Sequence, residues 1–263
     1  MARPPTPLSA APWRWATAGA LCGALVMVVV AAPAHWLAAG VAAATRGQVQ
    51  LLQPRGTVWD GSARLALTGG AGSSDQAALP GRLAWRLRPA WMGARLVATA
   101  DCCTAQPLAL RIGVRIGAIA IDVADGQTQW PASLTTGLGT PWNTLQLDGD
   151  LRLSTQGLSV EWVEGRPTVR GQAELVARQM SSRLSTLRPM GSYRITLQGG
   201  APTTLRLDTL EGSLQLSGQG QWVGSRLRFS GEARAAAERE AALSNLLNII
   251  GRRNGARSLI SIG

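Results

Sequence analysis

The chain has 263 residues, 46% of them hydrophobic, enough to bury a sizeable core even after a membrane-length apolar stretch near its start is set aside. Its formal net charge is +11, and all 26 basic residues are Arg. The lack of Lys excludes a Walker-type phosphate loop, Schiff-base chemistry and Ser-Lys dyads, and a single His, His35, excludes ordinary Ser-His-Asp or Cys-His activation in the rest of the chain.

The first feature in chain order is Trp15 to Thr45, which carries no charged residue. A bilayer core is about 30 Å thick and takes about 20 apolar residues in helix to cross, and Ala16 to Leu37 supplies that length. Two readings compete. A cleaved signal peptide needs a short apolar core and a small-x-small site, which Ala32-Pro33-Ala34 could provide despite its proline. A signal anchor needs a longer run with interfacial aromatics, and Trp13 and Trp15 flank one end while Trp36 flanks the other. The length favours the anchor, with Pro33 kinking it late. The expected organisation is a short cytoplasmic leader over 1–14, a transmembrane anchor with its extension over 15–44, and the bulk of the chain on the far side.

From 45 to 234 the pattern has a period of two. Leu83, Trp85 and Leu87 alternate with Ala84, Arg86 and Arg88. The period continues through Leu108, Leu110, Ile112, Val114 and Ile116, then Ile119, Ile121 and Val123. It returns at Leu151 and Leu153, at Leu158, Val160 and Trp162, at Tyr193, Ile195 and Leu197, and in Leu205–Leu207, Leu214–Leu216 and Leu227–Phe229. Such alternation predicts strands with one buried and one wet face. Asp60-Gly61, Asp125-Gly126, Asp148-Gly149, Glu164-Gly-Arg-Pro and Gly199-Gly200 read as turns or bulges. With no long helical segment between strands, the expected fold is mainly β: an antiparallel curved sheet, half-barrel or sandwich. Trp130 to Thr144, rich in Pro, Gly and Thr, is expected to cross from one half of the sheet to the other.

The last unit, 235–263, reads as a helix plus a short strand. Leu243, Leu246, Leu247 and Ile250 recur at helical spacing, Glu238 and Glu240 sit early, and Gly251 offers a stop before Arg252 and Arg253. This stripe either covers the end of the sheet or faces a partner.

Chemistry is sparse. From Arg46 onward 24 arginines face 15 acids, but they alternate with apolar residues and form no long basic run, so a solvated sheet face is favoured and nucleic acid is not expected as a partner. Cys22 lies in the apolar stretch, while Cys102 and Cys103 are neighbours that either bond to each other, react with outside thiols or fill a turn. No cysteine or histidine grouping suits zinc. The Asp148–Asp150 and Glu161–Glu164 pairs sit at turns and strand ends, where solvation explains them better than a catalytic dyad does.

Five phrases carry a family likeness: Gly56-Thr-Val-Trp-Asp-Gly-Ser-Ala63, Leu79-Pro-Gly-Arg-Leu-Ala-Trp-Arg86, Trp130-Pro-Ala-Ser-Leu-Thr-Thr-Gly-Leu-Gly-Thr-Pro-Trp-Asn143, Leu246-Leu-Asn-Ile-Ile-Gly-Arg-Arg253 and Arg257-Ser-Leu-Ile-Ser-Ile-Gly263. In this order they resemble protein N of the bacterial type II secretion system. The resemblance implies a non-enzymatic subunit of the inner membrane with its bulk in the periplasm, other secretion subunits as partners, and no cofactor. It also implies a distant likeness to curved β-sheet proteins of the AsmA type, so a lipid-binding or lipid-conducting groove is the second expectation. A cleaved, soluble periplasmic β protein is the third.

Overall fold

The computed structural model describes residues 13–263 apart from 71, 164, 165 and 225; most of the 1–14 leader and Glu164 therefore lie outside the described residues. The apolar stretch forms two helices, α1 (Trp13–Val30) and α2 (Ala34–Ala44). Pro33 separates them because its ring removes a donor and pushes the preceding residue out of helical conformation. The Ala32 carbonyl is used outside the helix, accepting from the Val58 amide at 2.8 Å. The continuous span expected over Ala16 to Leu37 is thus not formed. Among the described residues no helix is long and apolar enough to cross a membrane.

Beyond α2 the described residues form one antiparallel, curved sheet of 16 strands. In chain order these are β1 (Val49–Gly56), β2 (Asp60–Thr68), β3 (Gln76–Ala78), β4 (Leu83–Ala90), β5 (Gly93–Ala100), β6 (Leu108–Arg115), β7 (Ala118–Val123) and β8 (Gly126–Pro131). There follow β9 (Leu147–Val163), β10 (Arg166–Ser182), β11 (Gly191–Gln198), β12 (Thr204–Gly212), β13 (Leu214–Val223), β14 (Arg226–Ala235), β15 (Arg252–Asn254) and β16 (Arg257–Ile262). Neighbours in sequence are mostly neighbours in the sheet; only β3, beside β2, and β8, beside β9, leave the main path, and β16 precedes β15 at the end.

Register assigns the two ends of the strands different jobs. Asp60 pairs with Arg86, Gly93 with Gly113, and Ala118 with Val163, so the β1–β2, β4–β5, β6–β7 and β9–β10 connections all lie along one rim. The opposite end carries the covering segments. There α4 (Glu240–Ile250) buries Leu243, Leu246 and Leu247 against Met180, Tyr193, Leu214 and Ala233, with Ile250 packed beside them. Leu243, Leu246 and Leu247 are at most 2% exposed, so these three positions of the helical stripe serve the chain's own core, while Ile250 is half-buried. The helix starts later than its apolar spacing suggested, because β14 runs on to Ala235 and Glu238 sits at φ +66° between the two.

The segment after β8 also departs from expectation. A 3-10 turn (Ala132–Leu138) and α3 (Trp142–Leu145) lead from β8 back to its own neighbour β9, so they do not join two halves of the sheet. They pack toward β2 and β3 instead. Asn143 Nδ2 donates to Asp75 Oδ2 at 2.8 Å, and Leu134 joins Leu79, Ala100 and Cys103 in a second core cluster.

The runs Leu151–Leu153 and Leu158–Val160–Trp162 are one strand, β9, not two. Their switch from odd to even positions marks a bulge: Gln156 pairs with Gln172 while Ser159 pairs with Arg170, so β9 carries one extra residue. Gly157, at φ +54°, absorbs it opposite Gly171, at φ +77°. Leu151 and Leu153 therefore share a face with Leu158, Val160 and Trp162. Asp148-Gly149 likewise lies inside β9, at a second register shift opposite Arg178–Ser181, and makes no turn.

The last strand is held by charge as well as by its ladder. Glu232 of β14 accepts from Arg234 through Oε1 and from Arg257 of β16 through Oε2, the latter at 3.2 Å. The Arg234 hydrogen bond, helped by the Arg257 charge, holds the Glu232 carboxyl below the usual glutamate range. A depressed folded pKa gives stability that is present above about pH 4.3, the unfolded value, and is lost as pH falls through the folded value. Amides of β16 are expected to exchange faster at pH 3 than at pH 5 after correction for intrinsic rates. Glu232→Gln should flatten that difference.

Candidate functional site

Two Trp residues of the first two motif phrases join the helices to the sheet. The Trp59 Nε1 donates to the Val29 carbonyl, in the last turn of α1, at 2.7 Å. The Trp85 Nε1 donates to Val58 at 3.1 Å, and Pro33 forms a bridge with Thr57. Around them Ala34, Ala63 and Trp85 form a cluster with Leu37, Leu51 and Leu96, so α2 lies on the apolar face of β1, β2, β4 and β5. The end of α1 is thereby fixed to the rim. The rest of α1 is uncovered: Leu21, Leu25, Met27 and Val30 are more than 60% exposed, and Trp13 and Trp15 more still. Trp36, the other predicted flank, is half-exposed on α2 beside His35, whose ring meets it edge-on at 6.2 Å.

The Trp59 bond predicts a measurable link. Trp59→Phe keeps an aromatic ring and removes one hydrogen bond, worth about 1 kcal/mol. Hydrogen exchange should quicken at Val58 and in the last turn of α1, while the melting temperature falls by no more than about 4 °C.

From the α2 contact, apolar pairs run across the sheet. Leu96 faces Leu110, which faces Val123. In a second row Ala94, Ile112, Ile121, Val160 and Val169 are successive cross-strand partners, and in a third Val114, Ile119, Trp162 and Pro167. Away from the core clusters this face is partly uncovered: Val114, Ile119 and Trp162 are exposed. Between β6, β7, β8 and β9 it opens into a cavity of about 230 Å³ lined by Leu108, Leu110, Val123, Trp130, Leu153 and Leu158. The other face is charged, with Arg88, Arg95 and Arg111 in one cross-strand row ending at Asp122.

The carboxylates flagged in the sequence are not brought together as acid and base. Asp148 Oδ1 accepts from the Gly149 amide at 3.0 Å, Asp150 Oδ1 accepts from Gln129 Nε2 at 3.2 Å, and Glu161 pairs with Arg170 at 3.6 Å. Such contacts suit exposed strand ends. Tyr193 donates to the Leu214 carbonyl at 3.1 Å, and burial pushes its phenol pKa up, which keeps it a neutral core hydroxyl. Among the described residues no group of three or more His, Cys, Asp or Glu could hold a metal ion. Cys102 and Cys103 are bonded to each other in the turn after β5. Cys103 is buried beside Leu134, and its carbonyl accepts from the Gln129 amide at 2.8 Å.

Sequence reasoning missed the role of Trp59. A Trp inside the turn signal Thr57-Val-Trp-Asp-Gly61, where small polar residues are usual, was the available clue. The remaining motif phrases fall on the segments that close the far end of the sheet: the 3-10 turn with α3, then α4 with β15 and β16.

No curated protein and no solved structure matches the chain. The family model described as type II secretion system (T2SS), protein N, matches residues 47–259, which run from just before β1 into β16. The chain belongs to the type II secretion system protein N family.

Proposed function

We propose that this protein is a non-enzymatic accessory subunit of the type II secretion system, held in the inner membrane by α1 with its sheet in the periplasm. The family match over 47–259 carries the reading, because it covers the sheet from β1 into β16. The exposed apolar surface of α1 supports the membrane placement. Its 18 residues rise about 27 Å against a bilayer core of about 30 Å, so the proposed crossing, which α1 does not make in a bilayer of ordinary thickness, requires local thinning around the helix. The bonded Cys102–Cys103 pair supports an oxidising compartment. In this organisation 1–14 is the cytoplasmic leader, 15–44 the anchor with its extension, 45–234 the sheet and 235–263 its closing unit.

The test is affinity purification of the full chain from membranes, alongside export assays in a strain lacking it. Recovery of other inner-membrane secretion subunits and loss of secreted enzymes from the medium are expected. Normal export together with no recovered secretion subunit would overturn the assignment. An amino terminus beginning near His35 in the mature protein would replace the anchor with a cleaved signal.

A second reading, a lipid-binding groove, rests on the half-covered apolar rows and the cavity at Leu110, Val123 and Leu153. Native mass spectrometry of the purified protein should then show bound lipid, and its absence removes this reading.

A further inference from the structure

The rim that receives α1 carries large apolar side chains at the tips of its hairpins, where turns ordinarily carry small polar residues. At the β4–β5 tip Trp91 is 96% exposed and Met92 60%; at the β6–β7 tip Ile116 is fully exposed. The next strands bring Trp162 and Val163 to the same edge, at 39% and 44%. These tips are contiguous. The Met92 carbonyl accepts from the Val114 amide at 2.9 Å, Ile119 pairs with Trp162, and Ala118 pairs with Val163. Met92 also sits at φ +57°, a conformation that Gly or Asn would adopt with less strain, so an exposed apolar side chain stands there at a conformational cost.

Arginines surround this edge. Arg88 and Arg95 face each other just below the first tip, Arg115 precedes the second, and Arg166 pairs with Val163 beside the third. Among the described residues the nearby acids are engaged: Asp60 by Arg86 and Arg88 at 3.5 and 3.1 Å, and Glu161 by Arg170; Glu164, at the third tip, lies outside the described residues. Trp, Met and Ile tips with Arg behind them match the layering of a bilayer interface, where aromatic and apolar groups sit among acyl carbons and guanidinium groups meet lipid phosphates. The position agrees, since the end of α1 is bonded to this same rim through Trp59.

We propose that the rim formed by Trp91, Met92, Ile116 and Trp162 is a second membrane contact, dipping into the headgroup layer of an anionic bilayer beside α1. The inference rests on the anchoring role proposed for α1. Two contacts on one rigid sheet hold it upright: α1 tethers the first strands, and the tips rest on lipid across β4 to β10. The covered end, with α4, then points away from the membrane.

The test uses the full chain with Cys22→Ser, leaving the Cys102–Cys103 bond intact, and one added cysteine carrying a polarity-sensitive fluorophore. Ile116→Cys reports on the rim and Asn248→Cys on the α4 end. Both are reconstituted in vesicles of phosphatidylcholine and phosphatidylglycerol and challenged with aqueous iodide. The rim label should be blue-shifted and quenched several-fold more slowly than the α4 label. Equal quenching, with the protein retained in the membrane after alkaline carbonate extraction, overturns the rim contact and leaves the anchor standing. Release by carbonate counts against the anchor itself, and the rim proposal falls with it. Protection that persists in detergent and grows with protein concentration identifies a second copy of the chain on the rim and also overturns the proposal.

Discussion

Leu247→Ala is expected to lower the unfolding free energy by about 2–5 kcal/mol, the range for a leucine removed from a packed core. Leu247 is fully buried with Leu243 in the cluster that α4 forms on β10, β11, β13 and β14. The helix has no side-chain cap hydrogen bond at its start, and its order depends on this packing. The loss would spread, because the Leu247 carbonyl accepts from Ser258 Oγ of β16 at 2.6 Å and a displaced helix leaves that buried hydroxyl unpaired. At about 2–4 °C per kcal/mol for a chain of this size, a fall in melting temperature of at least about 4 °C should be seen. Ile249, 43% exposed on the other side of the same helix, is the control, and its alanine variant should stay within about 0.5 kcal/mol of the parent. Similar costs at both positions would mean that α4 does not close the sheet.

The bulge between β9 and β10 should be less forgiving still. A Cβ at position 171 would stand 2.1 Å from the Gly157 carbonyl oxygen, and the backbone there is at φ +77°. Gly171→Ala therefore combines a left-handed alanine, costing about 1–2 kcal/mol, with a displacement of the facing strand, and about 3 kcal/mol or more is expected in total. Gly157→Ala separates the two contributions, since its Cβ meets nothing within 4 Å and only the strain of φ +54° remains. Urea titrations of both variants should show the larger loss at 171. Equal losses would show that the two strands approach less closely at the bulge than 2.1 Å implies. The side chains at stake are Leu151, Leu153, Leu158, Val160 and Trp162, which share one face only because the bulge adds a residue.

Much of the sheet was legible in the sequence because the physics of a half-buried strand is local. Alternating Leu83, Trp85 and Leu87, or Ile119, Ile121 and Val123, announces a strand without knowledge of its partner, and a short polar connection announces antiparallel pairing. The helix spacing of Leu243, Leu246, Leu247 and Ile250 was equally plain, but its direction was not. A stripe looks the same whether it meets its own sheet or another protein, and only tertiary contact with Met180 and Tyr193 decides. Register shifts were half-visible: the change of parity between Leu153 and Leu158 was present in the letters, yet it reads equally well as two strands. The break at Pro33 and the use of Trp59 and Trp85 as fasteners depend on distant backbone carbonyls, at Val29 and Val58, that no window of sequence brings together. The apolar rim tips were passed over for a related reason. Trp91 and Ile116 continue the alternation of their strands, and the local signs that the chain reverses there are single glycines, Gly93 and Gly117, without the usual polar turn residues.

The succession of strands has a consequence for how such a chain is made. Because β1 to β14 lie side by side in almost the order in which they are synthesised, each new segment completes its ladder with one that has already emerged. With the anchor held in the membrane as proposed, a polypeptide threaded through a narrow translocation channel from β1 onward can therefore zip up as it arrives, with mostly short loops to close. The growing edge stays open until the closing unit is delivered, when α4 docks and the three-residue strand Arg252–Asn254, with two arginines, ends the row. Charged, brief final strands discourage neighbouring molecules from continuing the ladder, so the carboxyl-terminal segment doubles as the stopper of an otherwise extendable ribbon.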